Sequence, residues 1–258
     1  MNTAPAIAVQ KPRFQLPVVA GIIERRMLLN FRCEPAVIKK LLPAPFRPQL
    51  VHGSAIAGIC LIRLGGIRPA FLPSFVGLNS ENAAHRIAVE WDENGTTREG
   101  VFIPRRDTNA RLNRLVGGTL FLGVHQAARF RVVESFDEFE VEMRSVDGVT
   151  HVLVQGRLSE RLPANSVFHS VEEASAFFLG GSLGWSARHQ EKVFDGLELR
   201  CREWRMKPLM VERVESSFFQ NPQFFPPGSA IFDGAFLMRN IAHEWHGRGQ
   251  LKVRNAIA

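Results

Sequence analysis

Two adjacent guanidinium groups, Arg105 and Arg106, stand directly after Pro104 at the end of the apolar run Val101-Phe102-Ile103. Asp107, Thr108 and Asn109 follow at once, and these are residues that cap helices. The segment therefore reads as a strand that runs out beside a helix N-terminus. Fixed positive charge next to the free N–H groups of a helix start is an arrangement that holds a small anion. The pair will not form a Schiff base, because that step needs an unprotonated amine and a guanidinium stays protonated. The residue types speak for binding rather than for covalent amine catalysis.

Other side chains bring chemistry of their own. Glu81 precedes a predicted hairpin strand, and Arg25-Arg26 precedes the first predicted strand. A carboxylate among arginines serves as proton donor or acceptor if it is desolvated, and as part of a salt-bridge network if it is not. Gly180-Gly181-Ser182-Leu183-Gly184 matches the nucleophile-elbow pattern, with Asp195 or Asp233 and then His243 or His246 in the required order. That motif needs a strand before the serine and a helix after it, whereas Val171–Leu179 reads as a helix, so a glycine-rich helix end is the simpler reading. His243 and His246 are three apart on a predicted strand, which sends them to opposite faces, and no metal site is expected. No cofactor is expected either.

The elements that must position these groups are mostly strands. Met27–Phe31 reads as a short strand, and Glu34-Pro35 opens a helix that Pro43 and Pro45 end. Ala55–Leu64 reads as a buried strand, with Gly65-Gly66 and Pro69–Pro73 forming the turn after it. The clearest signal is a hairpin, Ala84–Trp91 and Thr96–Ile103, closed by Asn94-Gly95. A regular register sets Ile87 opposite Phe102 and Arg86 opposite Ile103, and places Arg86 and Arg105 on one mixed face. It also sets Glu90 against Glu99, which calls for nearby arginines or a bulge. A solvated face is the plain alternative for those arginines.

Asn109–Leu122 has helical spacing, weakened by Gly117-Gly118. Ala127–Val133 alternates as a strand does. Glu138–Val146 and Val149–Leu158 form a second hairpin about Asp147-Gly148, with Val141 opposite Val154 and Met143 opposite Val152. Leu197–Arg205, Leu209–Phe219 and Ala235–Trp245 read as further strands. Hairpins dominate and βαβ alternation is missing, so the expected class is mainly β (α+β), an antiparallel sheet with a few packed helices.

The bulk properties narrow the partners. The chain has 258 residues with a formal net charge of +7, and arginine supplies most of the excess, since only Lys11, Lys39, Lys40, Lys192, Lys207 and Lys252 are lysines. The arginines are dispersed and no basic run or stacking motif accompanies them, so a solvated basic surface, not nucleic-acid binding, is expected. No apolar run reaches membrane-spanning length. Cys33, Cys60 and Cys201 are odd in number and widely spaced, which fits a reduced, cytoplasmic protein. Residues 1–15 read as a flexible arm and residues 16–258 as one domain.

Taken in order, several segments resemble the acetoacetate decarboxylase-like superfamily, and most closely a large bacterial branch known as a domain of unknown function. They are Glu34-Pro35-Ala36-Val37-Ile38 leading to Leu41-Leu42-Pro43, Ile67-Arg68-Pro69-Ala70-Phe71-Leu72-Pro73, Glu81, Gly100-Val101-Phe102, and Arg202-Glu203-Trp204-Arg205-Met206. The similarity runs from about Arg25 to about Leu251. It implies a β-barrel or cone that encloses a cavity, and homo-oligomers.

In the true decarboxylases a Pro-Lys-Lys segment supplies the Schiff-base lysine. Pro104-Arg105-Arg106 occupies that segment here, Glu81 resembles a family active-site glutamate, and Arg25 or Arg26 falls near a substrate-binding arginine. A second family glutamate falls within Ile56–Ile59, where this chain has no acid. The resulting expectation is a protein that holds a small organic anion, a carboxylate or keto acid, through Arg105, Arg106, Arg86 and Arg25, with Glu81 as the candidate acid or base. The alternatives are an enzyme of other acid–base chemistry through Glu81, a serine hydrolase through Ser182, and a scaffold with a filled interior.

Overall fold

Long runs rich in β-branched and apolar residues set the frame. The computed structural model describes residues 7–10, 17–110, 124–187 and 193–253. The strands are β1 (Ile7–Gln10), β2 (Val19–Cys33), β3 (Arg47–Pro48), β4 (Leu50–Val51), β5 (Ser54–Pro69), β6 (Leu78–Glu93) and β7 (Thr96–Thr108). After them come β8 (His125–Glu134), β9 (Glu138–Ser145), β10 (His151–Leu158), β11 (Leu183–Ala187), β12 (Val193–Cys201), β13 (Lys207–Ser216) and β14 (Ala230–Val253). Two α-helices are described, α1 (Pro35–Leu41) and α2 (Val171–Gly180). Pro35 opens α1 where its missing N–H costs nothing, and Ser170 caps α2 by accepting the Glu173 N–H at 3.1 Å. No helix among the described residues is long and apolar enough to cross a membrane.

Strand pairing runs β7–β8–β9–β10–β13–β14–β2–β5–β6 and returns to β7 through the β6–β7 hairpin, so the circuit closes. β11 and β12 form a second bridge between β7 and β14. The mainly β class expected from sequence is what the chain adopts, with one refinement: β7 pairs in parallel with both β8 and β11. The shared strands β2, β5, β6 and β7 bury both faces. One face joins Met27, Leu29, Ile59, Leu61, Ile87 and Val89 to β9, β10 and the edge-on pair Trp91–Trp185, 5.8 Å between ring centroids. The other joins Leu28, Ile56, Cys60, Ile62 and Ala88 to Phe178 of α2 and to Phe236 and Met238 of β14.

Both expected hairpins form, the second in the expected register, with Val141 opposite Val154 and Met143 opposite Val152. The first keeps it only from the turn to Ile87 opposite Phe102, beyond which the expected pairing of Arg86 with Ile103 is lost. Asn94 and Gly95 take φ of 51° and 78°, the left-handed pair that a two-residue hairpin turn requires. Three local expectations change. The Gly65-Gly66 turn lies inside β5, where Gly66 at φ 60° marks a register shift. Asp107 and Thr108 belong to β7 instead of capping a helix, and the helix expected over Asn109–Leu122 lies, from residue 111 on, outside the described residues. Ile7–Gln10, within the stretch read as an arm, pairs with the end of β14.

Candidate anion site

The register of β6 and β7 decides which arginine faces which core. It is regular up to Ile87–Phe102, but beyond the bulge His85 lies opposite Arg105 and Ala84 opposite Arg106. The extra residue sits on β7 across from Arg86, at Ile103-Pro104, where proline sacrifices no ladder hydrogen bond. A one-residue slip exchanges faces. Arg105, expected beside Arg86, therefore turns to the face of His85, and Arg106 takes the place beside Arg86.

Arg105 is fully engaged where it lies. Its Nε and Nη2 donate to both oxygens of Asp107 at 2.8–3.1 Å, and Nη2 also donates to Asp147 at 2.9 and 3.1 Å. Asp107 is 0% exposed, and burial raises its carboxyl against the pull of Arg105. Asp147 is held down to about 2, first by the Ser145 hydroxyl, then by the Val149 N–H and Arg105. Arg105 thus ties β7 to the turn between β9 and β10.

Arg25 and Glu81 lie on that same face, in a closed ring of ion pairs. Arg25 donates to Glu81 at 2.6 Å and to Glu134 at 3.0 Å, while Arg63 donates to Glu81 at 2.6 Å and also pairs with Glu134. Burial would raise the Glu134 carboxyl, but Arg25, Arg63 and Arg239 hold it below its ordinary value. Both oxygens of Glu81 accept from guanidinium groups.

The opposite face holds a different set. Arg26 pairs with Ile62 across β2–β5, Arg86 with Gly58 across β5–β6, and Arg106 with Ala84 across β6–β7, so the three surround Cys60, which lies between Leu28 and Ala84. Their contacts are weak or neutral. Arg26 reaches the Met238 sulfur at 3.8 Å and the Trp204 ring at 5.4 Å. Arg86 donates to Asn30 Oδ1 at 2.6 Å and lies 4.8 Å over the Phe178 ring. Arg106 donates to Ser186 Oγ at 3.2 Å.

Among the described residues none of the three pairs with a carboxylate, and the Nε of both Arg26 and Arg86 is buried without a hydrogen-bond partner. Burial pushes Arg86 and Arg106 down to about 10 despite the nearby Cys60 thiol, which acts to raise both. Beside Arg106 is a recess of about 50 Å³ whose lining includes Ile62, Leu64, His125, Leu197 and Trp245, with Asn82 and Asp107 also at its wall. That is room for a few waters or a carboxylate-sized group.

The expected site residues are therefore divided. Arg86 and Arg106 come together, and Glu81, Arg25 and Arg105 lie on the other side of the sheet. Sequence reading left Arg25 or Arg26 open and placed Arg25 in the binding set, and it did not select Cys60; strand alternation puts Arg26 opposite in facing to Arg25, but only the register says which of the two meets Arg86. Ser182 follows α2 and precedes β11, the reverse of a nucleophile elbow. Asp233 is committed to Ser166, Val167 and Arg32, and His246 to Glu244. A cluster that sequence reading missed, His52, His169 and Glu173, gathers at the N-terminus of α2.

The fold is shared with solved structures. One is an acetoacetate decarboxylase from Legionella pneumophila, 11% identical, with a TM-score of 0.54 over 96% of this chain and 93% of that one. Another is an acetoacetate decarboxylase-like enzyme from Sphingomonas wittichii RW1, 12% identical, with a TM-score of 0.53 over 96% and 100%. A third is the enduracididine biosynthesis enzyme MppR complexed with pyruvate, 12% identical, with a TM-score of 0.53 over 94% and 90%. At these identities the likeness speaks for the fold alone. No curated protein matches the chain. The family of uncharacterized conserved proteins called DUF2071 matches residues 23–232, and the chain belongs to that family.

Proposed function

We propose that the chain binds a small organic anion, a carboxylate or keto acid, in the recess beside Arg106, on the sheet face that also carries Arg26 and Arg86, without a Schiff-base lysine. The observation that carries this reading is the set of three guanidinium groups, Arg26 and Arg86 buried and Arg106 half-buried, with no carboxylate partner among the described residues. Burying charge without compensation is costly, and a bound anion supplies the compensation. Arg105 and Arg25 already have carboxylates, so Arg26 replaces them in the binding set. Glu81 keeps both oxygens on guanidinium groups, which gives acid–base catalysis through it no support.

The recess suits a ligand with a few heavy atoms, and the fold relative complexed with pyruvate carries a ligand of that class. Each charge-assisted contact contributes about 1.5–3 kcal/mol before association costs are subtracted, so affinities near the millimolar range are expected. The described lysines Lys39, Lys40 and Lys207 are exposed and Lys252 is half-buried. None is desolvated in the way an amine catalyst requires. Thermal shift and calorimetry with pyruvate, acetate and phosphate test the reading. Stabilisation by a carboxylate that is lost in Arg86→Met and Arg106→Met supports it. The absence of any shift, or an equal shift in both variants, overturns it, as does a borohydride-trapped pyruvate adduct.

A further inference from the structure

The turn between β4 and β5 is only two residues long, His52-Gly53, and both take left-handed backbone, φ 46° and 83°. A histidine at positive φ is uncommon, and here the tight turn fixes where its ring projects. It meets the first turn of α2. His52 Nε2 lies 2.7 Å from Glu173 Oε1, the His52 and His169 rings are 4.2 Å apart between centroids, and His169 Nδ1 lies 3.9 Å from Glu173 Oε2. Glu173 is itself fixed twice: its N–H is capped by Ser170, and Oε2 accepts the His169 N–H at 2.6 Å.

One ligand atom from each of the three residues lies within 4.8 Å of the others. On a tetrahedral zinc with bonds of about 2.0–2.2 Å, neighbouring ligands stand about 3.3 Å apart, so small side-chain rotations close the set around an ion. We propose that His52, His169 and Glu173 form a binding site for a borderline divalent cation, zinc foremost, that clamps the β4–β5 turn to the N-terminus of α2. Two imidazoles and one carboxylate are a donor set for zinc or its neighbours rather than for calcium or magnesium, which take oxygen ligands. His52 and His169 are exposed and Glu173 is half-buried, so water completes the coordination and the ion enters without unfolding the chain. The site stands independently of the anion recess, although the helix it clamps carries Phe178, the ring over Arg86.

The test uses the full chain freed of metal by chelation. Zinc is titrated by calorimetry, and cobalt serves as a spectroscopic stand-in whose visible bands report nitrogen–oxygen coordination. The expected result is one ion per chain, a zinc-dependent rise in Tm, and a loss of affinity of at least about tenfold in each of His52→Ala and His169→Ala. His246→Ala, a control away from the cluster, retains the binding. Both histidine variants sit on the surface, and circular dichroism of the metal-free proteins checks that they fold. Zinc binding that survives in the His52→Ala/His169→Ala double variant overturns the proposal, as does the absence of stoichiometric binding to the parent chain.

Discussion

Arg105 spends its guanidinium on Asp107 and Asp147, while Arg106, next in the chain, donates to a single serine hydroxyl. Their substitutions should diverge accordingly. Arg105→Met leaves the fully buried Asp107 without its cation, and removing one partner of a buried pair costs about 3 kcal/mol. Arg106→Met removes a half-buried charge that has no carboxylate partner among the described residues, and the ligand-free protein should gain up to about 1 kcal/mol. Urea unfolding of the two variants checks this. If anion binding is what retains Arg106, the variant gains stability as it loses the ligand, and Arg105→Met shows the opposite combination. Equal destabilisation of both would mean that Arg106 is structural.

At the scale of elements, the β6–β7 hairpin both reveals and hides the site. Its turn was legible because Asn94-Gly95 carries its own backbone preference, and in the second hairpin Gly148, at φ 74°, marks a longer turn between Ser145 and His151. The bulge was not legible as a position. Pro104 signals that the ladder is interrupted, but the residue at which β7 slips also answers to its pairing with β8 and β11, which lie outside the hairpin. The fourth member of the Glu81 ring, Glu134, comes from β8, and no local pattern predicts that meeting. β5 contributes a quieter device, Gly58, opposite Arg86. A Cβ there would stand 2.2 Å from the Leu29 carbonyl oxygen and 3.3 Å from Asn30 Oδ1, the atom that accepts from Arg86. Gly58→Ala should therefore cost about 1–3 kcal/mol from overpacking and weaken anion binding through Asn30 and Arg86. Unfolding measurements and calorimetry on this one variant read the two effects separately.

Across the whole molecule, the closed circuit buries one histidine on β6 and another on β14, and this governs how the fold responds to acid. His85 is 0% exposed, with neither ring nitrogen hydrogen-bonded among the described residues; burial first, and then Arg105, lower its pKa from 6.5 to about 3. His243, on β14 near Arg26, is lowered to about 4, mainly by burial. The unfolded chain takes up these protons near pH 6.5, and the folded chain takes them up only near pH 3–4. Between those values the unfolded state holds more protons, so stability rises with pH and is lost as pH falls below about 6.5. Each histidine should remove about 2 kcal/mol between pH 8 and pH 5, together about 4 kcal/mol. The paired carboxylates Glu134, Glu142, Asp147 and Glu198 are held below their ordinary values and give way at lower pH. Asp107, raised by burial, protonates sooner in the folded chain and acts with the opposite sign. The diagnostic quantity is therefore a difference between proteins. His85→Leu, which fills the site beside Phe218 with an apolar group, should reduce the loss between pH 8 and pH 5 by about 2 kcal/mol in urea unfolding. An unchanged acid limb would mean that His85 is protonated in the folded protein, and the face it shares with Arg105 would then have to be open to water.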